Sequence, residues 1–194
     1  MNQTIVNAFL LLIIYIYRIK NTLLQNNRKF NIDLSPNVLY SRGSIIELLI
    51  SSDVSKYCEF RMVNQILTRR DDGKIEKVPT SRSEVFKSQM SVIEKRLMMQ
   101  FVQSCMKDNN FADLINDENG ILMSFKEFIQ GRKLPSSISH YLINAVSMCP
   151  NKTDSAFKGL TEVKRFISSV NRFGDSPFLF PLYGTGELSQ CFCR

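Results

Sequence analysis

The residues able to do chemistry are few and scattered. One histidine, His140, occurs in 194 residues, which removes every multi-histidine metal site and leaves a single imidazole for acid–base work. Carboxylates adjoin only as Asp71-Asp72 and Asp117-Glu118, and neither pair forms an acid–base constellation that spacing supports. The five cysteines, at 58, 105, 149, 191 and 193, are odd in number and irregular in spacing. That does not read as a disulfide framework and fits reduced thiols of a cytosolic or nuclear compartment. Cys191-x-Cys193 has soft-metal ligands but no second cluster, so no metal is expected. Gly184-x-Gly186 starts a dinucleotide fingerprint whose third glycine is missing. No P-loop, HExxH, GxSxG or CxxC occurs. These residues argue against an enzyme and for a module that binds protein or lipid, with no cofactor.

Composition agrees. Apolar residues make up 44% and charged residues 22%, a globular balance that excludes global disorder. The net charge of +7 is spread along the chain, and no basic run exceeds two residues. Nucleic-acid binders concentrate charge in a stripe or tail, so none is expected here. Residues 5–17 are almost wholly apolar and end at Arg18 and Lys20. The run is shorter than the ~20 residues of a spanning helix and has the wrong flanks for a signal peptide. Residues 5–24 remain an alternative membrane anchor, with basic side chains snorkelling.

The elements that must position any site follow from periodicity. Ser35-Pro36 signals a short helix over 37–41, and Ser44 starts another with Ile45, Ile46, Leu48, Leu49 and Ile50. Residues 57–63 and 65–69 read as extended. Asp72-Gly73 turns a hairpin whose return strand is 74–78. From Ser81 the period becomes helical: a short helix to Phe86, then a helix over 91–107. Met90, Ile93, Leu97, Phe101 and Cys105 should make its buried face, and Val92, Met99, Val102 and Met106 a second apolar stripe. A helical turn is expected at 111–114. Ser124 should cap a helix ending at Gly131, Pro135 should start one running to Cys149, and 156–173 should form the last. Residues 177–183 return to an extended pattern, and a helix starts at Glu187. The reading is α+β / α/β, with an all-helical module inserted into a strand-bearing unit.

The stretch 172–194 (RFGDSPFLFPLYGTGELSQCFCR) resembles a signature of the Rab escort protein and Rab GDP-dissociation inhibitor family. Residues 27–35 (NRKFNIDLS), 74–79 (KIEKVP) and 92–96 (VIEKR) resemble three further family segments in the expected order. The ending Cys191-Phe192-Cys193-Arg194 and Val85-Phe86 resemble the escort branch. This resemblance implies a fragment of a flavin-monooxygenase-like large domain interrupted by a small helical domain. The expected division is an apolar non-family segment at 1–26, large-domain residues at 27–80 and 176–194, and the helical domain at 81–175.

The resemblance further implies a non-catalytic cytosolic adaptor with transient membrane contact. Such an adaptor binds GDP-bound Rab GTPases, presents them to the Rab geranylgeranyltransferase heterodimer and delivers the lipidated product to membranes. It implies a Rab-binding role for Glu187 and Arg194 and a transferase contact through Phe86 and Arg96. It also implies a geranylgeranyl pocket, whose candidate lining is Met98, Met99, Val102 and Met106. The spacing of Phe86 and Arg96 is one residue shorter than in escort proteins. That matters if one helix holds both, and is harmless if a loop between two helices absorbs it. The family's amino-terminal strand–glycine–helix is not found, and the chain stops inside the signature. The expectation is an incomplete large domain that binds Rab poorly on its own.

Overall fold

The computed structural model describes residues 17–26, 33, 36–70, 72–107, 111, 114–115, 123–132 and 134–193. The expectations for residues 5–16, for most of 27–35 and for Asp71, Asp117, Glu118 and Arg194 fall outside them. Residues 17–25 are helical and mostly exposed. Among the described residues no helix is long and apolar enough to cross a membrane.

A three-stranded antiparallel sheet joins distant parts of the chain. Strand β1 (Leu39–Tyr40) and strand β2 (Phe60–Met62) flank a returning strand, Phe178–Pro181, in the order first, last, second. Leu39 pairs with Leu179 and Tyr40 with Phe178, while Arg61 pairs with Phe180. The helix expected over 37–41 is therefore wrong. Ser41 N–H donates to Pro177 O at 2.8 Å, and the Tyr40 ring packs on Phe178 at 4.7 Å between centroids. Those long-range contacts outweigh a local helix-start signal, since propensity is a weak prior. Helix α1 (Ser44–Ser51) follows. It buries Ile46 and Leu49 against Leu179 and leaves Ile45, Leu48 and Ile50 half-exposed. A short 3-10 turn, Val54–Tyr57, shortens the extended run expected from 57.

Strands β3 (Ile66–Arg69) and β4 (Ile75–Val78) form the expected hairpin, with Gly73 at φ 85° in the turn. They pair with each other and not with the three-stranded sheet. Instead Val78 and Ile66 pack on Tyr141 and Ala145 of the helical part. The polar side of that contact is Thr68 Oγ1 against His140 Nε2 at 3.0 Å. His140 Nδ1 also lies 3.1 Å from the Asn144 amide. The lone imidazole thus braces a hairpin.

Among the described residues the helical part holds five α-helices: α2 (Arg82–Lys87), α3 (Val92–Lys107), α4 (Phe125–Gly131), α5 (Ser136–Tyr141) and α6 (Ala156–Ser169). Ser81, Ser124 and Ser155 cap α2, α4 and α6 by accepting backbone N–H bonds. Such a cap is worth ~1 kcal/mol. The segment from Pro135 is not one regular helix, because Leu142–Val146 widens into a π turn after α5. Helix α6 stops at Ser169, earlier than expected. Ser41 Oγ donates to Ser169 O, Arg42 N–H donates to Ser169 Oγ at 3.3 Å, and Val170 is already extended. Phe125, Ile138, Leu160 and Val163 are fully buried at the centre of a core that also takes in Phe178 of the sheet. Strand β5 (Phe178–Pro181) and helix α7 (Gly186–Cys191) end the described chain.

The burial of α3 also departs from expectation. Its inward face is Met98, Phe101 and Cys105. Ile93, expected inside, is 72% exposed. In the first turn of α3 it is Glu94 that meets another helix, at Ser137, while Val92 and Ile93 face solvent.

Candidate functional site

Two neighbouring features stand out, an exposed corner between α2 and α3 and an apolar cavity beneath α3. The corner is built by two serine-capped helix starts, of which the Ser91–Glu94 pair is reciprocal. At α2, Ser81 Oγ accepts the Glu84 N–H, while the Glu84 carboxylate accepts Thr80 N–H at 2.9 Å, Thr80 Oγ1 at 2.8 Å and the Lys77 ammonium. Burial raises the Glu84 pKa, but these donors together bring it down to about 2. At α3, Ser91 Oγ accepts Glu94 N–H at 3.2 Å, and Glu94 accepts Ser91 N–H at 2.8 Å. The Ser91 bonds hold the Glu94 pKa below its usual value, and Ser137 adds a further donor.

Phe86 sits in the last turn of α2 and is 60% exposed. Arg96 lies on α3 and is exposed. The two are on different helices, joined through residues 88–91. A one-residue difference there is taken up in the turn and does not rotate a shared helix by ~100°. Lys95 Nζ donates to Phe86 O at 2.8 Å and locks the two helix ends together.

Beneath α3 lies a cavity of about 330 Å³ with a largely apolar lining. Met98, Met99 and Val102 form one wall, and Leu142, Val163 and Phe166 contribute to the rest. Met106, the fourth candidate, is 40% exposed and does not line it. Its volume is at the lower end of small-molecule sites, ~300–1,000 Å³. A larger groove of about 880 Å³ is lined by Arg70, Glu76, Lys77, Glu84, Glu94 and Tyr141 among others. Those three carboxylates already have partners. Glu76 takes Arg70 at 2.9 Å and the Tyr141 hydroxyl at 2.9 Å, so the groove is chiefly a brace between hairpin and helices.

At the far end of the sheet, Thr185 donates its N–H at 2.7 Å and its hydroxyl at 3.0 Å to the Asp33 carboxylate. Gly184 has φ 93°, and a Cβ there would lie 3.0 Å from Asp33 Oδ2. Gly184 thus serves a close approach to Asp33, whereas a Cβ on Gly186 would meet nothing within 4 Å. Glu187 is half-buried, and its Oε2 is buried without a hydrogen-bond partner among the described residues. Cys191 Sγ donates to Tyr57 O at 3.1 Å, while Cys193 is exposed. All five cysteines are free. No cluster of three potential metal ligands occurs among the described residues.

Sequence reasoning picked out Phe86, Arg96 and the cavity methionines but missed Glu84 and Thr80, which fix the start of α2, and Lys95, which ties its end to α3. The repeated Ser-x-x-Glu at 81–84, 91–94 and 124–127 was the available signal.

This mixed arrangement of helices and sheets has counterparts among known proteins. The profile of the family described as GDI, GDP dissociation inhibitor, matches residues 10–194. The chain belongs to the GDP dissociation inhibitor family. The match takes in part of the amino-terminal stretch that resemblance alone left outside the family. Rab proteins geranylgeranyltransferase component A 1 of Homo sapiens is 41% identical over 89% of this chain and 26% of its own length. The Drosophila melanogaster component A is 38% identical over 90% of this chain and 34% of its own length. A crystal structure of Rab GDI from Plasmodium falciparum superposes with a TM-score of 0.61 and 25% identity. It covers 86% of this chain and 40% of that one. The fold is the mixed helix-and-sheet fold of this family, and the chain spans about a quarter to a third of its curated relatives.

Proposed function

We propose that this chain carries the helical part and adjoining sheet of a Rab escort-type adaptor. In this reading 81–175 is the helical domain, and 27–80 with 176–194 belongs to the large domain. The whole protein binds GDP-bound Rab GTPases, presents them to Rab geranylgeranyltransferase and delivers the prenylated product to membranes from the cytosol. It performs no chemistry itself. Phe86 and Arg96 meet the transferase. Met98, Met99 and Val102 wall the geranylgeranyl site, with Met106 outside the cavity proper. Glu187 and Arg194 belong to the Rab platform.

The observation that carries this reading is the locked corner. Phe86, a large aromatic side chain, stands mostly in solvent at the end of α2, and Lys95 Nζ ties its carbonyl to α3, the helix that carries the exposed Arg96. Aromatic and arginine anchors are the residue types that dominate binding energy at protein interfaces. Phe86 and Arg96 are side chains of those two types, and both are exposed here. The alternative is a GDP-dissociation inhibitor proper, favoured by the structural match to Rab GDI.

The deciding experiment is capture of purified Rab geranylgeranyltransferase on the chain, with Phe86→Ala and Arg96→Ala as comparisons. Binding that both substitutions weaken at least about tenfold supports the escort reading. No binding by a chain shown to be folded favours the inhibitor reading.

A further inference from the structure

Two of the three cysteines outside the helical core meet where α7 reaches the sheet. Cys105 and Cys149 are buried in the helical core, whereas Cys58 packs on the separate cluster of Ile46, Leu49 and Leu179. Cys58 closes the 3-10 turn just before β2 and is half-buried. Cys191 is the last residue of α7 and is 3% exposed. Its Sγ donates to Tyr57 O at 3.1 Å, across 134 positions of chain. The Cys58 thiol in turn hydrogen-bonds to Cys191. Two further contacts hold the pair in place. Leu188 of α7 packs on the same cluster as Cys58, and Leu182 N–H donates to Glu59 O at 2.8 Å. The third cysteine here, Cys193, is exposed.

We propose that Cys58 and Cys191 form a modification site, a reversible redox pair that a hydroperoxide closes into a disulfide pinning α7 to the head of β2. One sulfur attacks the peroxide oxygen and the O–O bond breaks. A sulfenic acid forms, and the departing oxygen carries the thiol proton away as water, or as an alcohol from an organic hydroperoxide. The second sulfur then attacks the sulfenic sulfur. The S–O bond breaks, the S–S bond forms, and water leaves with the second proton. The two thiols lose two electrons and the peroxide gains them. Burial and the neighbouring Cys191 thiol push Cys58 up to about 12, and the thiolate is the reactive form. The pair therefore closes slowly and answers sustained oxidant, in keeping with the transient disulfides of reducing compartments. Closure ties α7, and the Glu187 it carries, covalently to residue 58.

The test treats the full chain with hydrogen peroxide, blocks the remaining thiols with N-ethylmaleimide and maps linked peptides by mass spectrometry. The expected product is an intrachain Cys58–Cys191 link that dithiothreitol reverses, with Cys105 and Cys149 still blocked as thiols. The link should raise the melting temperature by roughly 5–10 °C, because it closes a long loop of the unfolded chain. Between pH 7 and 9 closure should quicken about tenfold per unit, as the thiolate fraction does. Cys58→Ser and Cys191→Ser should each abolish both the link and the thermal shift, and Cys193→Ser should change neither. If Cys191→Ser does not fold, Cys58→Ser at its half-buried position decides. A link from Cys193 to either thiol, a link between chains, or a folded chain whose thiols oxidise singly or stay free overturns the proposal. So does a closure rate that is flat with pH, which would mean a thiol already ionised.

Discussion

Glu84 is the acid that fixes the start of α2 and hence the placement of Phe86. Its folded pKa of about 2 lies below the ordinary 4.5. The charged carboxylate therefore stabilises the fold above the unfolded value, and that contribution disappears as pH falls from 4.5 to 2. At ~1.4 kcal/mol per pKa unit, the full shift corresponds to roughly 3 kcal/mol. Solvent screens part of it, since the Glu84 and Lys77 side chains are 26% and 45% exposed. About 1 kcal/mol is a realistic remainder. Glu84→Gln keeps an oxygen that can accept from Thr80 and deletes the charge. Urea unfolding followed by circular dichroism should show the variant less stable by about 1 kcal/mol at neutral pH. The gap should narrow below pH 4.5 and vanish near pH 2. An equal deficit at both extremes would refute the electrostatic argument and assign the effect to packing. No deficit at neutral pH would refute the role of Glu84 altogether.

Three further outcomes are expected. A Cβ on Gly159 of α6 would lie 2.1 Å from the fully buried Phe125 ring, whereas one on Gly131 meets nothing within 4 Å. Thermal melts should therefore show Gly159→Ala destabilised by ~2 kcal/mol from overpacking and Gly131→Ala near neutral. Under a thiol reagent at mildly alkaline pH, exposed Cys193 should label first. Cys105 should resist in the native state, because burial pushes its pKa up to about 12, and the thiolate is the reactive form. Val102→Phe should fill the cavity and weaken binding of a fluorescent isoprenoid about tenfold, while Met106→Phe should not. Equal effects from the two would place the lipid elsewhere.

The sequence by itself determined the helical module, the hairpin at Asp72-Gly73, the returning strand and the caps. These are local signals: a period of 3.6 or 2, a serine before an apolar run, a glycine where φ is positive. It also carried the family, because 27–35 and 172–194 are specific enough to recognise apart. The structure joins them by the Asp33–Thr185 bonds. What only the tertiary structure decided is everything that depends on a distant partner. Residues 39–40 became a strand because Leu179 and Phe178 lie beside them, 140 and 138 positions away. Ile93 points outward because it lies on the side of α3 away from the buried Met98, Phe101 and Cys105. Met99 lines a cavity and Met106 does not, although both belong to one apolar stripe, because α6 and the π turn close over only part of that helix. Periodicity reports that a face is apolar. Only packing decides whether that face meets the core, a cavity or solvent.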